Sequence, residues 1–242
     1  MKSLLKFPLL VAVATMMSCS FSACSDNDDP TPDTGTSETD AKFEAIAKQY
    51  LDHTVYVTYK NLADETEQLV KDLQALKSSK TDANVKATCE TFLEARAWWE
   101  KSEAFLYGAA TDFGIDPHID SWPLDLDGLQ TALKNTEQVE AMGGEDGDIY
   151  AGEKLGNSLL GFHGIEYILF EDGSPKSVSK ISDLHLTYAV AVAGDLRNRC
   201  WQLELSWRGE SAVNADRVAK VANELELPYT VNSGEYSYGE NM

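Results

Sequence analysis

The chain has 242 residues, of which 43% are hydrophobic, enough for one large globular domain or two small ones. Asp and Glu number 40 against 20 for Lys and Arg, so the formal net charge is −20 at pH 7. This charge argues against nucleic-acid binding, because phosphate is recognised mainly by cationic side chains. After residue 24 no apolar run reaches the roughly 18 residues of a membrane-spanning helix, so none is expected there.

The first 24 residues have the organisation of a secretory signal. Lys2 and Lys6 form a cationic start, residues 7–17 form a short apolar segment, and small residues precede Cys19 and Cys24. The sequences MMSC and FSAC both resemble the lipobox of bacterial lipoproteins, whose cysteine receives a lipid anchor after cleavage. We favour Cys24 as the lipidated residue and expect contact with the membrane through this anchor only. The alternative is an ordinary secretory signal with an incidental cysteine.

Residues 25–38, SDNDDPTPDTGTSE, lack apolar periodicity and are rich in Asp, Pro, Thr and Ser. This composition predicts a disordered acidic tether. The acidic stretch directly after Cys24 resembles the flank of surface-displayed lipoproteins in some Gram-negative bacteria. We therefore expect an outer-membrane lipoprotein facing the periplasm or the cell surface, and the acidic flank favours the surface.

From residue 39 onward, apolar residues recur at the three- and four-residue steps of helices. Pro117 and Pro123 exclude continuous helix in the segment GIDPHIDSWPLDLDG. No convincing strand pattern or internal repeat occurs, so the predicted fold class is all-α, an up-and-down helical bundle with irregular loop excursions over residues 39–242. The predicted helices cover about 40–77, 82–107, 126–141, 157–170, 179–207 and 211–226.

Two cysteines, Cys89 and Cys200, fall within the predicted helical domain. An envelope location permits a disulfide between them, and two buried free thiols are an equal alternative. Their isolated positions do not form a zinc-binding pattern.

The apolar segment NSLLGFHGIEYILFEDG, residues 157–173, contains His163 and Glu166. Residues three apart lie on one face of a helix, so the imidazole and the carboxylate can point to a common place. Both groups are good ligands for zinc or iron. Burying an unpaired carboxylate is costly, so the pair must be satisfied by each other, by neighbours or by a cation.

The same segment places Gly161 and Gly164 on either side of the histidine. Each glycine costs roughly 1 kcal/mol relative to alanine inside a helix, which calls for a reason such as close packing or room for a ligand. The structural alternative for the pair is a neutral packed histidine and a glutamate that accepts a hydrogen bond in the core.

Three blocks of the sequence resemble the imelysin family, which is also classified as M75 peptidase-like. The string LGNSLLGFHGIEYILF, 155–170, resembles the family's GxHxxE signature, and the blocks ARAWWEKSEAFLYG, 95–108, and DPHIDSWPLD, 116–125, precede it in family order. The resemblance covers roughly residues 40–242. It implies a helical bundle, an envelope location, a link to bacterial iron uptake and a metal or ligand site at the GxHxxE helix.

The metal ligands expected on this resemblance are His163, Glu166 and Glu103, the last from the SEAF run, with iron or zinc as the metal. Arg96 lies seven residues before Glu103, two turns away on the same helix face. It is expected to orient a carboxylate or bind an anionic ligand group, and a structural salt bridge is the alternative.

The loop block supplies three further residues. Asp120 and His118 are candidate ligand-binding residues, whereas Trp122 is expected to serve packing. The alternative for Asp120 is to cap or stabilise the turn, and that for His118 is an ordinary surface histidine.

The leading functional hypothesis is an envelope-anchored lipoprotein that binds a metal ion or a metal-bearing ligand in iron uptake. A metal-dependent peptidase of the M75 type is the first alternative, and a structural surface lipoprotein with a vestigial site is the second. Hydrolytic zinc sites use three protein ligands. The sequence contains no HExxH motif, and no other complete set of catalytic residues can be recognised in it. We therefore favour a binding protein over an enzyme.

The resemblance also sets expectations about partners. Family members are usually longer and continue into a second helical bundle, whereas this chain ends at GEYSYGENM. We expect either that the chain is truncated or that its partner half is missing, so that half of the cleft between the two halves is absent; the missing half is then one expected partner. An envelope iron transporter is the other expected partner.

Overall fold

The structure is a computed structural model that describes residues 37–231, 234 and 236–242. The predicted signal segment, its lipidated Cys24 and nearly all of the predicted tether lie outside these residues. Helix α1 begins at Glu38, because the side chain of Ser37 accepts a hydrogen bond from the backbone N–H of Asp40 and caps the helix. The last two residues of the predicted tether therefore belong to this helix and its cap.

The described residues form a helical bundle with one very small hairpin. Strands β1, Phe170–Glu171, and β2, Ser174–Pro175, pair antiparallel. Short 3₁₀ turns cover Glu103–Phe105, Asn157–Leu159, Val178–Lys180 and Glu210–Ala212, and π-helical turns cover Leu51–Val55 and Ala219–Glu224. Helices α1 to α12 span, in chain order, Glu38–Tyr50, Tyr56–Ser78, Asp82–Ser102, Ala109–Asp112, Ile115–Ile119, Leu126–Lys134, Thr136–Ala141, Gly147–Lys154, Gly161–Leu169, Asp183–Arg208, Ala215–Val218 and Tyr238–Asn241.

Three long helices form the centre of the bundle. Helix α2 packs against α3 and against α10, and the shorter α8 and α9 pack on α10. Only residues 79–81 connect α2 to α3, and so short a connection makes the two helices antiparallel. Tyr59, Trp99 and Trp207 are fully buried between these helices. The predicted all-α, up-and-down bundle is thus confirmed.

Helix α10 follows the sequence pattern closely. Ser182 accepts a hydrogen bond from the backbone N–H of His185 and caps the helix, which ends at Gly209, whose φ is +75°. The segment after it is attached to the bundle by Arg217, which forms ion pairs of 2.6–2.8 Å with Asp64, Glu67 and Glu204.

The structure decides between the two cysteine alternatives and corrects the first predicted helix. Cys89 and Cys200 are both buried and free, so the structure contains the thiol alternative and not the disulfide. The single helix predicted over 40–77 is interrupted by the π-helical turn Leu51–Val55, and α1 leaves Phe43 and Ile46 exposed. Within the described residues, no helix is both long and apolar enough to cross a membrane.

The segment around the histidine motif departs from the single helix predicted over 157–170. Residues Asn157–Leu159 form a 3₁₀ turn, Leu160 is extended, and α9 starts only at Gly161, whose φ is +65°. A Cβ atom on Gly161 would overlap the carbonyl oxygen of Ile119, and one on Gly164 would lie 2.6 Å from the carbonyl oxygen of Leu159. Close backbone approach therefore explains both glycines, and it brings the start of α9 against the end of α5.

Replacing Gly161 by alanine should disturb this junction. The substitution places a Cβ atom in the left-handed region of φ and against the Ile119 carbonyl, so we expect the free energy of unfolding to fall by about 2 kcal/mol or more. Urea unfolding followed by circular dichroism measures the change.

Gly156→Ala is the matched control. Gly156 lies five residues earlier at φ −74°, and no atom lies within 4 Å of the Cβ it would gain. Its alanine variant should be neutral or slightly stabilising, by up to ~1 kcal/mol. Equal stabilities for the two variants would contradict the packing role assigned to Gly161.

Candidate functional site

The residues of the candidate site come from three separate segments. Arg96 and Trp99 lie near the end of α3, Asp120 directly follows α5, and His163 and Glu166 lie on α9. The approach of Gly161 to Ile119 joins the second segment to the third. Residues far apart in the sequence are therefore assembled by backbone packing.

His163 stands between two carboxylates. Its Nε2 atom lies 3.1 Å from Oδ1 of Asp120, and its Nδ1 atom lies 3.1 Å from Oε2 of Glu166. The histidine side chain is 16% exposed. The ion pair with Asp120 raises the pKa of His163 above its ordinary value, against the opposite effect of burial, and Glu166 adds to the increase.

Asp120 accepts hydrogen bonds from two side chains and forms an ion pair with a third. Nε1 of Trp99 donates to its Oδ2 atom at 2.8 Å, and its Oδ1 atom accepts from the Arg96 guanidinium and faces His163. Burial alone would raise the pKa of Asp120, but the ion pair with His163 and the hydrogen bonds from Arg96 and Trp99 outweigh it and hold this pKa well below its usual range. The side chain is therefore a stable carboxylate.

Arg96 is held in place from several sides. It pairs with Glu100 at 2.6 Å as well as with Asp120, and its guanidinium lies 5.2 Å from the centre of the Phe162 ring. The carboxylate that Arg96 orients is thus Asp120. Because its donors are directed at two acidic side chains, Arg96 holds Asp120 in the position where it faces His163.

Glu166 lies at the open side of the site, with its side chain about half exposed. It lines a cavity of about 440 Å³ together with His163. The other lining residues are Phe92, Leu93, Trp122, Leu124, Tyr167, Phe170, Glu171, Asp172 and Gly173. The predicted pair therefore shares a pocket, and that pocket opens to solvent at its acidic rim.

Trp122 covers the histidine from the loop that follows Asp120. Its ring centre lies 4.8 Å from that of His163, with the two planes tilted by 55°. Even so, Trp122 is 74% exposed, so it does not fill the core as its predicted packing role would require. It forms one wall of the cavity and leaves most of its own surface in contact with water.

The arrangement of donors suits a cation on the Glu166 side of the histidine. Asp120 accepts the Nε2 proton, which leaves Nδ1 to act as a ligand once its own proton is released. A metal between Nδ1 and the Glu166 carboxylate would then have one nitrogen and one oxygen ligand, a donor set that zinc and iron accept. Among the described residues, no group of three His, Cys, Asp or Glu side chains could hold a metal. His163 and Glu166 form a pair of side chains whose atoms are of the kinds that bind metals.

Two predicted residues lie elsewhere. Glu103 is exposed in the 3₁₀ turn after α3, and no ion pair or hydrogen bond found among the described residues joins it to His163 or Glu166. His118 is buried on α5, where its Nε2 atom lies 2.7 Å from Oδ2 of Asp195 on α10. The alternative of a surface loop histidine is therefore wrong. His118 pairs with Asp195 and not with His163 or Glu166.

Two contributors were not singled out from the sequence. Trp99 lies three residues after Arg96, on the same face of α3, so helix geometry could have identified it as a second donor to a shared acceptor. Leu93, 55% exposed at the mouth of the cavity, carries no signal in the sequence because a single exposed leucine is ordinary.

Comparison with known proteins gives a consistent picture. The family model described as Imelysin, peptidase M75, matches residues 55–234. Iron-regulated protein A of Synechococcus elongatus is 31% identical over 163 residues, which cover 67% of this chain and 40% of that protein.

Two crystal structures resemble the fold. An iron-regulated protein A precursor from Parabacteroides distasonis matches with a TM-score of 0.61 and 25% identity over 81% of this chain. An imelysin-like protein from Psychrobacter arcticum matches with a TM-score of 0.56 and 15% identity over 74% of this chain, a likeness of fold. This chain covers 54% of each of those two chains and 40% of the cyanobacterial relative.

The charge of Asp120 should control the protonation of His163. Replacing Asp120 by asparagine removes the negative charge beside Nε2, so we expect the pKa of His163 to fall from its raised value toward its ordinary value or below. NMR titration of the His163 ring in metal-free protein measures this. The His53 ring, exposed at the π-helical turn, serves as the reference signal in the same spectra. An unchanged His163 titration would contradict the assigned role of Asp120.

The same substitution should have a pH-dependent effect on stability. The depressed pKa of Asp120 contributes stability above about pH 4, and the raised pKa of His163 contributes stability that is complete below about pH 6.5 and disappears as the pH rises through the folded-state value. The loss of unfolding free energy in Asp120→Asn should therefore be largest between these limits. Above the pKa of His163 it should shrink to the part due to Arg96 and Trp99. Urea unfolding across pH 4–9 provides the test, and a constant loss would exclude a contribution from His163.

Proposed function

This chain belongs to the imelysin family, and from that premise we propose that it binds a metal ion or a metal-bearing ligand through His163 and Glu166 and serves iron acquisition. The observation that carries the proposal is the separation of 3.1 Å between Nδ1 of His163 and Oε2 of Glu166 at the mouth of a cavity. Two ligands of one cation commonly lie about this far apart, because each is roughly 2.0–2.2 Å from the metal.

The surroundings of the pair support a binding role. A histidine that ligates a metal usually donates its other ring N–H to a carboxylate, which fixes the tautomer and the orientation of the ring. Asp120 is placed to accept this proton from Nε2, and Arg96 and Trp99 hold Asp120 in turn. A histidine that served packing alone would not need so elaborate a support.

The names of two relatives support iron as the proposed metal. Two of them, one from Synechococcus elongatus and one from Parabacteroides distasonis, are named iron-regulated protein A. Those names describe the relatives, and this chain spans only part of their length. Iron as the natural metal is therefore part of the proposal, with zinc as the alternative for a site of one imidazole and one carboxylate.

The proposed setting follows from the amino-terminal sequence. A lipid anchor at Cys24 would hold the domain at the outer membrane on an acidic tether, on the periplasmic side or at the cell surface. In that position the protein would pass its metal to an envelope iron transporter.

Peptidase activity has less support. Hydrolytic zinc sites use three protein ligands and one open position for water. The described residues bring two ligands together, and Glu103 lies apart from them. Cleavage of peptides that stops when a chelator is added would reverse this preference.

The binding role can be tested by calorimetry. Titration of the purified protein with Fe²⁺ under anaerobic conditions, Zn²⁺ and Cu²⁺ should show one site, and His163→Ala and Glu166→Gln should each weaken binding at least ~10-fold because each removes a ligand. The titrations need about 150 mM salt, because a protein with net charge −20 attracts cations without a specific site.

His53→Ala and Glu94→Gln are the matched controls, because they remove an exposed histidine and an exposed glutamate that do not line the cavity. Both should bind metal like the unmodified protein. Equal affinities for His163→Ala and His53→Ala would exclude His163 from metal binding and end the proposal.

A further inference from the structure

The cavity beside the His163–Glu166 pair is larger and more apolar than a lone metal ion needs. Its volume of about 440 Å³ lies within the range of roughly 300–1,000 Å³ in which proteins bind small organic molecules. Side chains of Phe92, Leu124 and Phe170 line it, whereas a hydrated divalent ion would be better served by oxygen ligands. The walls therefore point to an organic guest.

Two walls of this cavity are large apolar side chains left open to water. Trp122 is 74% exposed and Leu93 is 55% exposed, and both line the same cavity. Adjacent exposed apolar groups at the edge of a pocket are typical of ligand-binding surfaces. Trp122 presents a flat face of the kind that binds planar guests, because aromatic rings attract each other in offset or edge-to-face arrangements.

The acidic side chains at the rim favour a positively charged guest. Glu166, Glu171 and Asp172 all line the cavity. Glu171 is paired with Lys180 and Glu166 with His163, which leaves Asp172 as the rim carboxylate for which no ion pair is found in the described part of the chain. An anionic guest would be repelled from this mouth, whereas a cationic complex would be attracted to it.

The small number of protein ligands also favours a guest that carries its own donors. His163 and Glu166 supply two donors, and the described residues offer no third one beside them. Zinc and iron take four or more ligands, so the remaining positions must be filled from outside the described residues. A chelating molecule that carries its own donors meets this requirement, and its organic part then lies against the apolar walls.

We propose that this cavity takes a metal chelate with a planar, apolar body and a net positive charge, with the metal at His163 and Glu166 and the body against Trp122 and Leu93. This inference rests on the proposed function, because it names the form in which the same site receives its metal. Trp122 is then the residue that distinguishes a chelate from a free ion.

Two copper complexes of equal charge separate the contribution of the metal from that of the organic body. The one-to-one complexes of Cu²⁺ with 1,10-phenanthroline and with ethylenediamine both present two nitrogen donors and open positions on the metal, but only the first has a planar aromatic body. We expect the unmodified protein to bind the phenanthroline complex about 10-fold more tightly than the ethylenediamine complex, as measured by calorimetry. Phenanthroline without metal should bind far more weakly than its copper complex.

Variants assign this preference to particular side chains. Trp122→Ala should remove most of the difference between the two complexes, and Trp122→Phe should restore part of it. Because Trp122 is largely exposed, these variants should fold normally, which thermal unfolding verifies. Phe43→Ala is the control, since it removes another exposed aromatic ring that lines a different cavity.

The outcomes separate this inference from the function on which it rests. Equal affinities for the two complexes, both reduced by His163→Ala, would overturn the planar guest and leave metal binding intact. Affinities that do not respond to His163→Ala would overturn the metal site itself. Tight binding of phenanthroline alone, dependent on Trp122 and unaffected by copper, would show a cavity for aromatic compounds and overturn the metal chelate.

Discussion

The carboxylate of Asp120 is the group on which the candidate site depends. Arg96 and Trp99 donate to it from α3, and His163 reaches it from α9. A largely buried carboxylate is tolerated only when its charge is balanced and its oxygens accept hydrogen bonds, and these three partners meet both conditions. Because Nε2 of His163 is committed to Asp120, the ring has a fixed orientation and its Nδ1 atom is directed at Glu166.

Periodicity predicted the part of this site that lies within one helix. His163 and Glu166 share a face of α9 because they are three residues apart, and their apolar surroundings required that each find a partner. The convergence of Asp120 on the same histidine depends on packing between segments distant in the chain, which helix spacing does not encode. The family resemblance of the SEAF run predicted Glu103 as a ligand, but Glu103 lies on an exposed turn after α3 ends, apart from His163 and Glu166.

The role of the two glycines beside the histidine could not be predicted from the sequence. Glycine destabilises a helix, so each of these positions was expected to have a specific role. The sequence offered two such roles, close packing and room for a ligand, and did not distinguish them. The carbonyl of Ile119 decides between them at Gly161, because it occupies the place where a side chain would begin. The positive φ at this glycine also prevents the helix predicted over 157–170 from starting at Asn157, so α9 starts at Gly161, two residues before His163. A feature that looked like part of a binding pocket thus acts indirectly, by setting α9 against the end of α5.

A site with two protein donors has a consequence for the proposed role in uptake. A metal enclosed by four protein ligands is held for structure, and its release requires that several bonds break before a new ligand can enter. A metal that keeps open positions toward the mouth of the cavity can be approached by the donors of a receiving protein while His163 and Glu166 still hold it. Under the proposed function, exchange would then proceed without a step in which the ion is free in water. The half-exposed Glu166 lies on that open side, whereas His163 is anchored by Asp120 from within. The asymmetry between one fixed ligand and one accessible ligand therefore suits a protein that accepts a metal and passes it on better than one that stores it.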